Sequence, residues 1–231
     1  MNDDIGHTIG FGADNPDEIR KWIPDDIARR YEIHSYRHAA TILANSAPAE
    51  LGEVFTALRN FRLTEEMITA SGGNESAIPK AFNALLRPHG WYETRLRGDL
   101  LVTQEVHQDF GSRKAVVREE ILRKDFLDGH KVDYVKNRVA FDLEWNSKDQ
   151  TFDRDLYAAR AFYECGLISA GILLTRSEQL NPVFARLGVK QKYGASTTWM
   201  GKLLYRLNAG RSGGCPMLIF GITPAVIDEG F

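Results

Sequence analysis

Residues 131–149 read KVDYVKNRVAFDLEWNSKD, a run punctuated by carboxylates. Asp133 opens an apolar stretch; Asp142 and Glu144 close it with one residue between them. Successive strand side chains point to opposite faces. A strand over Val139–Trp145 therefore puts Asp142 and Glu144 on one face, and Val139, Phe141, Leu143 and Trp145 on the other. Carboxylates at the end of a buried strand are costly unless something positive sits among them. A divalent cation fills that role. Mg2+ takes oxygen ligands, needs only one or two carboxylates, and keeps waters that can become nucleophiles. The competing reading is an ordinary strand whose acids are solvated on an exposed face.

The chain has 231 residues, enough for one large domain or one domain with a subdomain. Its 43% hydrophobic and 26% charged residues are the mix of a soluble globular protein. No apolar run reaches the length of a membrane span. The acidic, polar start, MNDDIGHTIGFGADNPDE, has no signal-peptide core. Cys165 and Cys215 have neither metal-ligand spacing nor the look of a disulfide framework, which points to a reducing cytoplasm. A net charge of -2 is not the footprint of a general nucleic-acid binder. An enzyme that cuts DNA, however, gathers carboxylates in its cleft and leaves the phosphates to basic residues elsewhere.

Residues 1–24 read as a flexible leading segment, and 25–231 as a single domain. Tyr31, Ile33 and Tyr36 suggest a strand within 28–43. Ser46-Ala47-Pro48 opens a helix whose buried face is Leu51, Val54, Phe55, Leu58 and Phe61. Residues 69–76 form a loop in which Asn74 or Ser76 caps the next helix, and Pro88-His89-Gly90 ends that helix. Trp91–Thr103 reads as a strand with a turn at Arg97-Gly98, and the charged stretch 113–128 as a helix. After the acidic strand come a helix at 154–164, a strand at 168–175, a helix at 198–207 and a strand at 217–222. Strands alternating with helices indicate an α/β fold, a mixed central sheet flanked by helices.

In order along the chain, these residues resemble the type II restriction endonucleases of the BglII and BamHI kind, which carry the PD-(D/E)xK nuclease core. Gly90-Trp91-Tyr92-Glu93 is similar to the family's aromatic-plus-acid segment ahead of the catalytic strand. Val132-Asp133-Tyr134-Val135-Lys136-Asn137-Arg138-Val139-Ala140 is similar to its D-F-V-K-x-R-V-A stretch. Phe141-Asp142-Leu143-Glu144-Trp145-Asn146 resembles its acidic strand end, and residues 216–222 resemble its closing strand. The likeness covers roughly residues 30–225 and is sharpest over 131–176. Two positions depart from the pattern. The first strand-end acid is usually Glu and is Asp142 here. The superfamily's Lys two residues on is Glu144, a position where this family accepts Glu or Gln.

The resemblance implies a restriction-endonuclease-like fold, a Mg2+ cofactor, a homodimer, and site-specific hydrolysis of double-stranded DNA at a short palindrome. It also implies a cognate DNA methyltransferase that acts on the same site and need not bind the enzyme. Asp133 becomes the primary metal ligand, Asp142 the second ligand or the group that orients it, and the Leu143 backbone carbonyl a further metal contact. Glu144 becomes the general base or water-orienting group. Asp142 and Glu144 are preferred to a register using Glu144 and Asn146, because their distance from Asp133 matches the family. Glu93 is either a fourth catalytic acid or a surface strand glutamate.

Family members read bases with the loop after the catalytic strand, here Asn146, Ser147 and Lys148, and with a segment before the late helix, here Ser196, Thr197 and Thr198. An ordinary polar turn and an N-cap are the plainer alternatives. Lys190, Lys192, Lys202, Arg206 and Arg211 form a basic neighbourhood suited to DNA backbone contacts, or simply a solvated face. Lys136 and Arg138 either flank the scissile phosphate or sit on a hairpin. The helix at 154–164 is a candidate dimer helix. Two other functions share these features: a repair or modification-dependent nuclease on the same core, and a DNA-binding module on a degenerate core. Retention of Asp133, Asp142 and Glu144 argues against the last.

Overall fold

The computed structural model describes residues 12–70, 77–107, 111 and 116–227. In chain order these form α1 (Pro16–Arg20), α2 (Asp25–Ala28), β1 (Tyr31–Tyr36), α3 (Ala39–Ser46), α4 (Pro48–Asn60), α5 (Glu65–Thr69) and α6 (Ala77–Leu86). Then follow β2 (Tyr92–Val106), β3 (Val116–Lys136), β4 (Val139–Leu143), α7 (Thr151–Glu164), β5 (Ala170–Arg176), α8 (Asn181–Arg186), α9 (Met200–Asn208) and β6 (Met217–Ile222). The strands make one sheet in the order β1-β6-β5-β4-β3-β2. β4, β5 and β6 run parallel, while β1 joins β6, and β3 joins β4, antiparallel. The fold is α/β with a mixed sheet, as the alternation of elements predicts. No helix among the described residues is long and apolar enough to cross a membrane.

Strand parity divides the sheet into two faces. Phe141, Ile172, Leu174, Leu218 and Phe220 point to one side, where they join Leu43 of α3, Val54 and Leu58 of α4, and Phe82 of α6 in the main core. The predicted buried face of α4 is all there: Leu51, Val54, Phe55, Leu58 and, just past the helix, Phe61 are buried. Burying each such side chain is worth about 1.5–3 kcal/mol. The opposite face carries Asp142 and Gly171 and receives α7 and α9. A Cβ at Gly171 would stand 2.8 Å from Met217 Sδ and 3.9 Å from Ala159 Cβ. The bare glycine and the small Ala159 thus let α7 lie close to the sheet.

The β3–β4 hairpin fixes the register on which the site depends. Only Asn137 and Arg138 separate the two strands, and both have positive φ, 42° and 71°. Two positive-φ residues are what the tightest hairpin turn demands. Side-chain anchors hold these non-glycine residues there: Asn137 Nδ2 donates to Glu50 Oε1 at 2.8 Å, and Arg138 Nη1 to Gly166 O at 2.6 Å. Lys136 then pairs with Val139, and Tyr134 with Phe141. One step further sets Asp133 opposite Asp142.

Three expectations are corrected. The fold begins before residue 25: α1 occupies Pro16–Arg20, and Ile19 and Ile23 are buried in the core. β2 runs unbroken through Arg97-Gly98, with no turn. The described part of 113–128 is strand, not helix. Arg95–Lys131 forms a compact unit of its own. Within it Arg95 pairs with Asp128 at 2.6 Å and Arg97 with Asp125 at 3.0 Å, while Leu101, Val117 and Phe126 remain exposed. A strand that buries neither face leaves no period-two signature in its sequence. The capping residues Asn74 and Ser76 lie outside the described residues.

Candidate active site

The acids of β3 and β4 meet on the face that receives α7. The Leu143 amide lies between two of them, 3.4 Å from Asp133 Oδ2 and 3.2 Å from Asp142 Oδ1. Asp133 is exposed, Asp142 is half-buried, and Glu144 is buried. Burial, then the charges of Asp155, Asp133 and Glu144, push the Asp142 pKa well above the usual carboxylate range. The Glu144 pKa is also raised by burial, against hydrogen bonding from Ser147 and the charge of Arg154.

Asp155, which sequence reasoning missed, is the fourth acid of this cluster. It lies on the buried face of α7, four residues before Ala159, so both point at the sheet. Its pKa is pushed up to about 8 by burial and by the Glu144 charge, while Arg154 works in the opposite direction. Arg154 spans the pair: Nη2 lies 3.3 Å from Glu144 Oε1 and 3.0 Å from Asp155 Oδ1. Asp155 Oδ2 is buried without a hydrogen-bond partner among the described residues.

Among the described residues, no group of three His, Cys, Asp or Glu side chains is arranged to hold a metal ion. A Mg2+ site asks for less than that, since one or two carboxylates with waters and a phosphate complete its shell. Crowded carboxylates with raised pKa values and an orphaned buried oxygen form a donor set short of positive charge. The chemistry of these carboxylates fits such an ion, which Asp133 and Asp142 would hold. Mg2+ or Ca2+ is therefore expected to raise the melting temperature of the metal-free protein. Ligand linkage gives about 2.7 kcal/mol at a hundred times Kd. Differential scanning fluorimetry across an ion titration checks this, and a melting temperature indifferent to both ions would remove the metal from this site.

Glu93 is exposed at the start of β2. Asp133 faces Asp142 rather than Asn146, whose Nδ2 donates to Lys192 O at 3.3 Å. Lys136 is corrected as a phosphate contact. It lies on the opposite strand face from Asp133, and its Nζ holds both Glu53 carboxylate oxygens at 2.7 Å. Arg138 sits in the hairpin turn.

The two segments expected to read DNA come together. Thr198 N donates to Ser147 O at 2.8 Å, Asp149 N to Ser196 O at 2.9 Å, and Lys148 bridges Thr197 antiparallel. Residues 147–149 and 196–198 thus form one short ribbon. Ser147, Lys148 and Ser196 are exposed on it. Thr198 is corrected: its side chain is fully buried, so it offers no surface to a base. Thr197 Oγ1 is occupied, donating to Gly194 O at 2.8 Å and accepting from Arg176 at 2.7 Å.

The basic neighbourhood is largely neutralised. Lys202 and Arg206 face Asp149 at 3.5 and 3.7 Å, Arg206 and Arg211 both pair with Asp153, and Lys192 Nζ caps carbonyls of Ile68 and Ala70. Lys202, Arg206 and Arg211 brace α9 and the residues after it against α7 and the loop before it, while Lys192 holds the end of α5.

The mixed sheet thus presents the acids of its β3–β4 hairpin to one face. The family model described as restriction endonuclease BglII/BglIII matches residues 31–222, and the chain belongs to that family. No curated protein matches it.

Proposed function

We propose that this chain is a Mg2+-dependent type II endonuclease that hydrolyses double-stranded DNA at a short palindrome, as a homodimer. The observation that supports this most directly is the meeting of Asp133 and Asp142 across the β3–β4 hairpin, with Glu144 beside them on one face. Mg2+, when bound, supplies positive charge at the phosphate and lowers the pKa of a bound water. Asp133, Asp142 and the Leu143 carbonyl would hold the ion. Glu144 orients the attacking water or takes its proton. Arg154, bonded to Glu144 and Asp155 together, restricts the rotamers open to Glu144. No step is assigned to Glu93.

Two-fold DNA is matched by two copies of the chain, each cutting one strand. α7 is the candidate dimer helix, with Tyr157 exposed on it. The enzyme would work in the cytoplasm beside a methyltransferase that protects the same site. Digestion of unmethylated phage DNA with Mg2+ tests the proposal. Discrete bands are expected; a smear, nicking alone or no cleavage would overturn it in favour of another activity on the same core.

The exposed residues of the ribbon carry a separate expectation. Lys148→Ala and Ser196→Ala should each weaken binding to the cognate site by about 1–3 kcal/mol, the scale of a good base contact, with little change on random duplex. Equal losses on both duplexes, measured by titration in Ca2+, would make them phosphate contacts and move base reading elsewhere.

A further inference from the structure

Arg176, the last residue of β5, is 2% exposed. Its Nη2 donates to Tyr193 O at 3.2 Å and to Thr197 Oγ1 at 2.7 Å. Its guanidinium carbon lies 5.5 Å from the Phe184 ring centre and 5.4 Å from that of Tyr193. Those two rings stack on each other at 4.0 Å, inclined by 10°. Arg176 Nε is buried and has no partner among the described residues. Burial lowers its pKa to about 10, against the opposing effects of Tyr193 and Glu178.

A buried cation held by neutral acceptors and ring faces is a poor stabiliser, because a well-packed apolar side chain in such a place usually does as well or better. What the guanidinium does have is a grip on both ends of one turn. Tyr193 O lies before the turn, and Thr197 Oγ1 closes it by also donating to Gly194 O. Thr197 is in turn bridged to Lys148, and Thr198 N is bonded to Ser147 O. One nitrogen, Nη2, meets both acceptors while the flat guanidinium lies over the Phe184 and Tyr193 rings, and a lysine ammonium has no such flat group to hold its donor in place.

We infer that Arg176 is a positioning residue for sequence discrimination: by clamping Tyr193 O and Thr197 Oγ1 it sets the conformation in which the ribbon presents Ser147, Lys148 and Ser196 to DNA bases. This rests on the proposal that the ribbon meets DNA. Base contacts discriminate only when donors are held within a fraction of an ångström of their partners. A loosened ribbon would therefore still bind and cut, but choose less well.

The test compares the full-length wild type with Arg176→Met, Arg176→Lys and Thr197→Val. Hydrogen exchange is read on the metal-free, DNA-free proteins, and cut sites are mapped on a randomised duplex library with Mg2+. In Arg176→Met, exchange in peptides covering 147–149 and 193–198 should rise about tenfold while β5 and β6 stay protected. Cleavage at one-base variants of the preferred site should rise about tenfold relative to that site, within the range that one lost base contact allows. KM at the preferred site should change more than kcat. Thr197→Val, which removes one of the two acceptors, should move both readouts the same way by less, and Arg176→Lys should not restore them. A wild-type spectrum of cut sites in Arg176→Met overturns the inference. If that variant does not fold, Thr197→Val decides alone, and unchanged exchange and cut sites in it overturn the inference too. If the wild type cuts at no discrete sites, the nuclease proposal fails and this inference falls with it. Discrete wild-type sites shared by every variant sink the Arg176 role alone.

Discussion

Asp133→Ala is expected to abolish cleavage while leaving the protein folded and able to bind DNA in Ca2+. Asp133 is exposed, and the contact it receives from the Leu143 amide is long, at 3.4 Å. Surface substitutions of this kind usually change stability by no more than about 0.5 kcal/mol. Its chemical role is of another size. It is the acid that faces Asp142 across the hairpin, and the charge stabilisation organised by a bound divalent ion is worth several kcal/mol. Each 1.36 kcal/mol is a factor of ten, so the single-turnover rate in saturating Mg2+ should fall by at least about a thousandfold. Near-wild-type cleavage would reject the β3–β4 acids as the active centre. Unchanged binding in Ca2+ alongside lost cleavage would place the loss in chemistry and not in DNA capture.

The parts of the fold that bury one face against another were legible. The face of α4, the hydrophobic run of β6 and the alternation of β4 are direct consequences of burial, so their periods show in the residue order. β3 was not legible over its first half because nothing there selects a period: Val117, Ile121, Leu122 and Phe126 are all exposed, with charges interleaved. α1 was missed because five residues are too few for a helical period, although Asn15, Pro16 and the acids Asp17 and Glu18 spell a helix start, and Asn15 does accept from Asp17 N.

That Asp142 and Glu144 share a face was legible because their spacing of two is a strand spacing. Their closeness to Asp133 needs the two-residue turn at Asn137-Arg138, whose sequence is not the usual glycine-containing one. Asp155 could have been found: it sits among Phe152, Leu156, Ala159 and Phe162 on the buried side of α7, and a carboxylate in an apolar stripe calls for a partner. The ribbon between 147–149 and 196–198 could not, because backbone pairing between distant loops leaves no trace in either. The same holds for the basic residues, whose acids Asp149 and Asp153 come from another segment.

Asp142→Asn and Glu144→Gln are expected to slow cleavage by at least about a hundredfold each, the scale of positioned acid–base and electrostatic groups. Asn146→Ala should alter binding or site choice more than chemistry. If Asn146→Ala removed single-turnover cleavage and Asp142→Asn did not, the register using Glu144 and Asn146 would be the working one. The same Asp142→Asn variant should be more stable than the wild type when both are free of metal. Burial and the surrounding carboxylates raise the Asp142 pKa in the folded chain above its value near 3.9 in the unfolded one. A group raised in this way contributes its full stability below the unfolded pKa and loses it as pH rises through the folded pKa. The wild type therefore carries the strain of a crowded carboxylate at neutral and alkaline pH, and the asparagine does not. Their melting temperatures should coincide in acid and diverge as pH rises, by about 2–4 °C for each kcal/mol relieved in a chain of this size. Mg2+ should narrow the gap, because it stabilises the protein that keeps the carboxylate more than the one that lacks it. A variant that is less stable than the wild type at every pH would show that Asp142 serves the fold through its hydrogen bonds, and is not held there against the fold for the sake of the site.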